Sequence, residues 1–215
     1  MTAGPTQAGV FVHPHGLCDS SDVGVGTRVW AFAHVLAGAV VGRDCNICGC
    51  AFVEGGAVLG DRVTVKNGTL VCAGVTCEDE VFLGPNVLFT NDLRPRAANR
   101  KAPSELVGTT VRRGATLGAG AVVICGVEVG EYAFAAAGAV IAGDVPAHAF
   151  MTGNPARRTG WACRCGGRLT RDLRCPACAD RYRPGPRGYG LCLDGVASPL
   201  HFADQQSAST SDAAR

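Results

Sequence analysis

From Phe11 to about Arg94 a large apolar residue returns every six positions: Phe11, Leu17, Val23, Val29, Val35, Val41, Ile47, Val53, Leu59, Val65, Val71, Cys77, Leu83 and Phe89. The residue four further on is small or β-branched, as at Thr27, Ala33, Ala39, Cys45, Ala51, Ala57, Val63, Thr69 and Val75. Glycine often follows the apolar position, as in Val23-Gly24, Val41-Gly42, Leu59-Gly60 and Leu83-Gly84. A helix repeats its apolar residues at three and four, and a half-buried strand at two, so neither explains six. A six-residue period describes a β-helix, each hexad a short strand and a turn, with three hexads closing a triangular coil of about eighteen residues. The large side chain points inward and stacks on its counterparts, while the small residue and glycine let the chain turn.

Composition agrees. Thirty glycines and 6% aromatic residues suit a coil with tight corners. A formal charge of +2 gives no footing for nucleic acid or an anionic membrane as partner. No apolar run reaches the ~18 residues of a membrane span, and the first residues lack the pattern of a signal peptide. The expected location is the cytoplasm, where the twelve cysteines are thiols or metal ligands. Cys45, Cys72, Cys77 and Cys125 read as small apolar residues of the repeat. Cys45, Cys48 and Cys50 differ in hexad phase and should point different ways, so a metal among them is not expected.

Residues 1–9 carry no pattern and read as a lead-in. In Trp30-Ala-Phe-Ala-His34 the indole neighbours an inward Val29 and should face outward. It would then serve as a contact for a ligand or subunit, or be covered by the lead-in. The hexads break after Phe89-Thr-Asn-Asp92, and residues 93–110 carry two prolines with Arg94, Arg96, Arg100 and Lys101. This stretch reads as a loop extruded from one corner, where repeat proteins tend to bind ligands. The hexads resume at Val111, Leu117, Val123, Val129, Ala135 and Ile141, and stop near Pro146 and Pro155. By phase Asn67 and Asn91 hold equivalent hexad places on adjacent faces. Asn also suits left-handed corners, so phase alone does not make either a ligand residue.

Beyond Gly160 the composition changes. Cys163 and Cys165, then Cys175 and Cys178, form two close pairs on a polar segment too small to bury a core. Four thiolates on two turns suit tetrahedral Zn²⁺ in a structural role, covering the open end of the coil. The domain reading is therefore a β-helix over 1–160, a zinc-ribbon-like segment over 161–183, and a largely disordered tail over 184–215.

The run Phe82-Leu-Gly-Pro-Asn-Val-Leu-Phe-Thr-Asn-Asp-Leu-Arg-Pro-Arg96 resembles the hexapeptide-repeat N-acetyltransferases of nucleotide-linked amino sugars. So do Trp30-x-Phe-x-His34, Gly114-Ala-Thr-Leu-Gly-Ala and Gly153-Asn-Pro-Ala-Arg-Arg-x-Gly-Trp161. The likeness is strongest to enzymes acting on UDP-2-acetamido-3-amino-2,3-dideoxyglucuronate, and a related dTDP-3-amino sugar stays open as the substrate it implies. It implies a left-handed β-helix, a homotrimer with sites between subunits, and acetyl-CoA as co-substrate. Asn91 would position the reacting amine, with His34 as substrate contact or secondary base. Trp30, Asn67, Asp92, Arg94 and Arg96 would meet the sugar nucleotide, Arg96 through carboxylate or phosphate. The pantetheine arm would pass Gly120, Ala121 and Gly138, with Arg157 and Arg158 at the CoA phosphates. The rival readings are a sugar O-acyltransferase using His34 as base and a β-helix scaffold without catalysis. A γ-class carbonic anhydrase is excluded, because its zinc needs three converging histidines and the five here are wrongly spaced.

Overall fold

The computed structural model describes residues 8–195. The hexads wind into a left-handed parallel β-helix of about eight turns, built from two- and three-residue strands. Its cross-section is a triangle. The first face is a nine-stranded sheet running from Phe11–Val12 through Arg28–Val29, Asn46–Ile47, Thr64–Val65 and Phe82–Leu83 to Ala149–Thr152 and Arg157–Trp161. The second is seven-stranded, from Leu17–Cys18 and His34–Val35 to Val140–Ile141, and the third is six-stranded, from Asp22–Val23 to Glu128–Val129. No helix among the described residues is long and apolar enough to cross a membrane.

From Val23 onward the core is the predicted one. Ile47, Leu59, Leu83, Leu117 and Ile141 head the fully buried side chains, and the small positions Thr27, Ala39, Ala57, Val63 and Thr69 are wholly enclosed at the corners. Each large aliphatic so buried contributes about 1.5–3 kcal/mol. The two corner threonines satisfy their hydroxyls locally: Thr27 Oγ1 donates to the Gly42 carbonyl at 2.8 Å, and Thr69 Oγ1 to that of Gly84 at 2.7 Å. Gly24 shows why glycine follows the aliphatic: a Cβ there would lie 2.5 Å from the Gly42 backbone of the next coil.

The first coil departs from the expected register. Val12, not Phe11, pairs with Val29, and Cys18, not Leu17, pairs with Val35. Phe11 and Leu17 are correspondingly 45% and 55% exposed. The corner between Cys18 and Val23 is one residue shorter than a hexad allows. Ser20 fills it, donating from Oγ to the Ala39 carbonyl at 2.6 Å while accepting from the Asp22 amide at 3.0 Å.

The corner loop leaves the prism after Thr90 and is pinched at its base, where the Val107 amide donates to the Asn91 carbonyl at 2.9 Å. The winding then continues unchanged: Val75 pairs with Thr109, and Phe82 with Thr116.

The β-helix ends in a hairpin, Ala149–Thr152 against Arg157–Trp161, and the chain passes directly into the cysteine-rich cap. The cap extends further than its composition suggested. Tyr182–Pro184 pairs with Leu191–Leu193, so residues 184–195, expected to be tail, belong to the ribbon. The turn-rich Pro-Gly-Pro stretch, which looked structureless, is the connection between those two strands. The tail expected beyond residue 195 lies outside the described residues. Gly190 at φ 71° lets the hairpin press on the coil, since a Cβ there would meet the Ala147 backbone at 2.9 Å.

Candidate active site and metal centre

Trp30, on the edge joining the first and second faces, does face outward and is 39% exposed. It packs on Phe11 of the first strand, with ring centroids 5.4 Å apart. Its indole Nε1 donates to Asn46 Oδ1 at 2.6 Å. Around this pair lies an open hollow of about 480 Å³, lined by His13, Trp30, Ala31, Asn46, Cys48, Gly49 and Asn67. Gly49 keeps the floor low: a Cβ there would meet the Ala31 carbonyl at 2.9 Å and the Asn67 amide nitrogen at 3.4 Å. The exposed lining is almost wholly apolar and is led by the indole, because Asn46 spends its oxygen on Trp30 and its amide nitrogen on Cys48 Sγ at 3.3 Å. Such a surface offers a stacking face for a sugar or base ring.

The same edge continues toward the C-terminal end past Gly120 and Gly138. Both have positive φ, and a Cβ built on either meets nothing within 4 Å, so backbone lies open to a ligand there. Ala121, expected at the pantetheine arm, is wholly buried with its amide bonded to the Gly118 carbonyl and its carbonyl to the Leu88 amide, so within one chain it offers a ligand nothing. At the far end the Ala156 amide donates to the Val140 carbonyl of the second face at 2.8 Å, so exposed Arg157 and Arg158 begin the last strand of the first face close to this edge.

Asn91 and the loop occupy a different edge, between the second and third faces. Asp92 Oδ1 accepts from the Arg94 amide at 2.8 Å and stands 3.8 Å from Lys101 Nζ, so Asp92 shapes the loop. Arg94, Arg96 and Arg100 are exposed and have no carboxylate in ion-pair range among the described residues. Within one chain Asn67 and Asn91 therefore line separate edges.

His34 lies on the second face in the coil of Trp30. Its Nε2 is 2.7 Å from Asp19 Oδ2, and its ring meets Phe52 edge-on at 5.6 Å. Between His34 and the Leu88–Phe89 strand that leads into Asn91 stand the strands of Phe52 and Leu70, so the separation is three sheet spacings or roughly 14 Å. The two residues do not meet within a chain. Asn46 and Asp19 were missed by sequence reasoning. A half-buried indole N–H requires an acceptor, and Asn46 stands one coil on from Arg28, two residues before Trp30.

Cys163, Cys165, Cys175 and Cys178 converge, with all four sulfurs within 4.8 Å of one another. Cys163 and Cys178 are 3.4 Å apart, Cys165 and Cys175 3.5 Å. Thiolates at ~2.3 Å from a tetrahedral Zn²⁺ sit about 3.8 Å apart, so this donor set fits the ion. The short first pair is accommodated by a tight knuckle, in which the Cys163 amide donates to the Gly167 carbonyl at 2.7 Å and that of Gly166 to Cys163 at 2.8 Å. Backbone amides of Cys178 and Ala177 draw the Cys175 thiol down to about 7. Tyr182 is held at the edge of the cluster. Its hydroxyl accepts from the Arg164 amide at 3.0 Å and is 3.1 Å from Cys163 Sγ. Cys45 and Cys48 are buried and Cys50 is exposed.

No protein-family model matches the chain. It is 45% identical over 159 residues to the dTDP-3-amino-3,6-dideoxy-α-D-galactopyranose 3-N-acetyltransferase of Aneurinibacillus thermoaerophilus, covering 74% of this chain and 82% of that one. It is 30% identical over 102 residues to serine acetyltransferase 2 of Arabidopsis thaliana, covering 47% of this chain and 25% of that one. Among solved structures, PerB of Caulobacter crescentus with CoA and GDP-perosamine overlaps with a TM-score of 0.39 at 23% identity, over 71% of this chain and 55% of that one. That overlap is too loose to carry an argument.

A parallel β-prism with one extruded corner loop, together with the first of these relatives, defines a hexapeptide-repeat acyltransferase. More narrowly, the chain belongs to the hexapeptide-repeat N-acetyltransferases of nucleotide-linked amino sugars.

Proposed function

We propose that this protein transfers the acetyl group of acetyl-CoA to the 3-amino group of a nucleotide-linked 3-amino sugar. A dTDP-linked 3-amino-3,6-dideoxyhexose is the first substrate to test, and a UDP-linked 2-acetamido-3-amino-hexuronate the second. The observation that carries this reading is the 45% identity across 82% of a relative named for that dTDP sugar. The hollow at Trp30, Asn46 and Asn67 supports it with an aromatic face on which a sugar or base ring can stack.

The active unit in this reading is a homotrimer. The loop with Asn91, Asp92, Arg94 and Arg96 stands on one edge of the prism and the hollow on another, so the loop of one subunit serves the edge of its neighbour. Arg94 and Arg96, free of carboxylates, meet the phosphates or a sugar carboxylate. The acyl donor lies along Gly120 and Gly138, with its phosphates at Arg157 and Arg158.

The reaction asks little of a base. A sugar amine titrates near ~8, so a useful fraction is neutral at pH 7. The amine nitrogen attacks the thioester carbonyl, the C–N bond forms and the C–S bond breaks. The proton shed by nitrogen balances the departing thiolate, giving amide and free CoA thiol. Holding both reactants in line is worth an effective concentration of ~10⁵ M or more. Asn91 orients the amine by accepting its N–H. A second reading, O-acyl transfer with His34 as base, draws support from the 2.7 Å His34–Asp19 contact.

The four cysteines hold a structural Zn²⁺ in this reading, and reduced thiolates of that kind fit the cytoplasm. The test is CoA thiol release with purified protein and each amino sugar. Turnover that falls ~100-fold on Asn91→Ala supports the assignment. Turnover only with a sugar bearing a hydroxyl in place of the amine overturns it.

A further inference from the structure

The strand Arg157–Trp161 is held from two sides. On one it pairs with Ala149–Thr152. The other set of contacts comes from the first cysteine knuckle. The Leu169 amide donates to the Trp161 carbonyl at 3.0 Å, and Ala162 bridges Arg168. The Arg168 guanidinium donates to the Thr159 carbonyl at 3.0 Å and covers the Phe150 ring at 4.3 Å. Trp161 is shared between two cores, packing against both the β-helix interior and the small cluster of Cys163, Cys175, Tyr182 and Leu191. On its face lies the Arg158 guanidinium, 4.2 Å from the ring centroid. A third strut runs through aromatic rings, with Tyr182 edge-on to His148 at 4.7 Å and His148 stacked on Tyr132 at 5.3 Å.

The ribbon's own core is too small to order the knuckles unaided, so its geometry depends on what the four sulfurs bind. Arg168 and Leu169 follow the first knuckle within a few residues. They can hold the Arg157–Trp161 strand only while that knuckle is closed.

We infer that metal loading of the Cys163, Cys165, Cys175 and Cys178 site sets the grip of Arg157 and Arg158 on the phosphates of the acyl donor. The inference rests on the acetyl-CoA reading given above. The site acts through the strand as a positioning device, because Arg168 and Leu169, just past the first knuckle, bond the strand that carries both arginines. The hollow at Trp30 belongs to the opposite end of the prism, and its affinity for a nucleotide is independent of the metal.

The experiment compares the full chain loaded with zinc, stripped by a chelator, and carrying Arg168→Ala. Bound zinc is measured directly and by the visible spectrum of the Co²⁺-substituted protein, and affinities for CoA and for dTDP by calorimetry. The expected result is one zinc per chain, with a tetrahedral thiolate spectrum from cobalt. Stripping weakens CoA binding ~10-fold or more and leaves dTDP binding within about 2-fold. Arg168→Ala keeps its zinc yet weakens CoA binding ~3- to 5-fold. Equal CoA affinity in loaded and stripped protein, or in Arg168→Ala and wild type, overturns the coupling and leaves the zinc site standing. If the stripped chain unfolds, Arg168→Ala decides. A chain that binds neither zinc nor cobalt removes the site and the coupling together. A zinc-loaded chain that ignores CoA sinks the acetyl-CoA reading itself, and the inference with it.

Discussion

The indole N–H of Trp30 donates to Asn46 Oδ1 at 2.6 Å, joining the edge of one coil to the face of the next. This bond fixes the indole plane at the mouth of the hollow, and neither residue alone would do so. Replacing Asn46 with Ala leaves the N–H without its partner and frees the ring. The Michaelis constant for the sugar nucleotide should rise ~5- to 10-fold while that for acetyl-CoA stays within about 2-fold. Steady-state kinetics with each substrate varied in turn would check it. An equal rise for both substrates would remove the hollow from the sugar site.

His34 and Asp19 form a carboxylate–imidazole pair of the kind that sets a ring's tautomer. For an amine nucleophile this pair is an accessory. His34→Ala should lower kcat for N-acetyl transfer by no more than ~10-fold, against the ~10²–10⁴-fold loss typical of a removed general base. Asp19→Asn should follow it in the same direction and by less. A loss of ~10³-fold in His34→Ala would make His34 the base and favour the hydroxyl-acylating reading.

His148 carries a pH dependence. It is buried between Tyr132 and Tyr182, with Nδ1–H donating to the Ala162 carbonyl at 2.9 Å. Burial pushes its pKa below the ordinary value. The unfolded chain therefore takes up this proton first on acidification. The stabilisation is complete above ~6.5, the unfolded value, and is lost as pH falls from there toward the folded value. The melting temperature should drop between pH 7 and pH 5, and drop less in His148→Gln, both measured with zinc loaded. A parallel decline in the two proteins would clear His148 of the effect.

The register of the first coil can be tested by truncation. Leu83 is wholly buried between Val65 and Leu117 of the neighbouring coils, and Leu83→Ala should cost about 3 kcal/mol. Phe11 is half exposed and rests on Trp30, so Phe11→Ala should cost about 1 kcal/mol or less. Val12→Ala, at the position paired with Val29, should cost more than Phe11→Ala despite the smaller side chain. Urea midpoints of the three variants would order them, and a Phe11 loss exceeding that of Val12 would restore the unbroken hexad register.

The amino-acid sequence by itself determined the coil, its inward residues from Val23 to Ile141, the extruded loop, and the four cysteines at its end. Period six is a local property. Each hexad contributes one aliphatic to the axis whatever its neighbours do, so the pattern survives without knowledge of the fold. At Phe11-Val12 and Leu17-Cys18 both members of each pair are apolar, so the alternation cannot choose which turns inward. Pairing with Val29 and Val35 made that choice, through a corner one residue short. The outward positions were illegible for a related reason: nothing in the repeat constrains them. Asn46 meets Trp30, and Asp19 meets His34, only because winding the chain brings residues from successive coils within a strand spacing of each other. The ribbon's second hairpin has the same origin. Tyr182–Pro184 and Leu191–Leu193 carry too little apolar surface to announce themselves as strands, and they became strands because the coil end at Ala147 and the cysteine cluster gave them something to pack on.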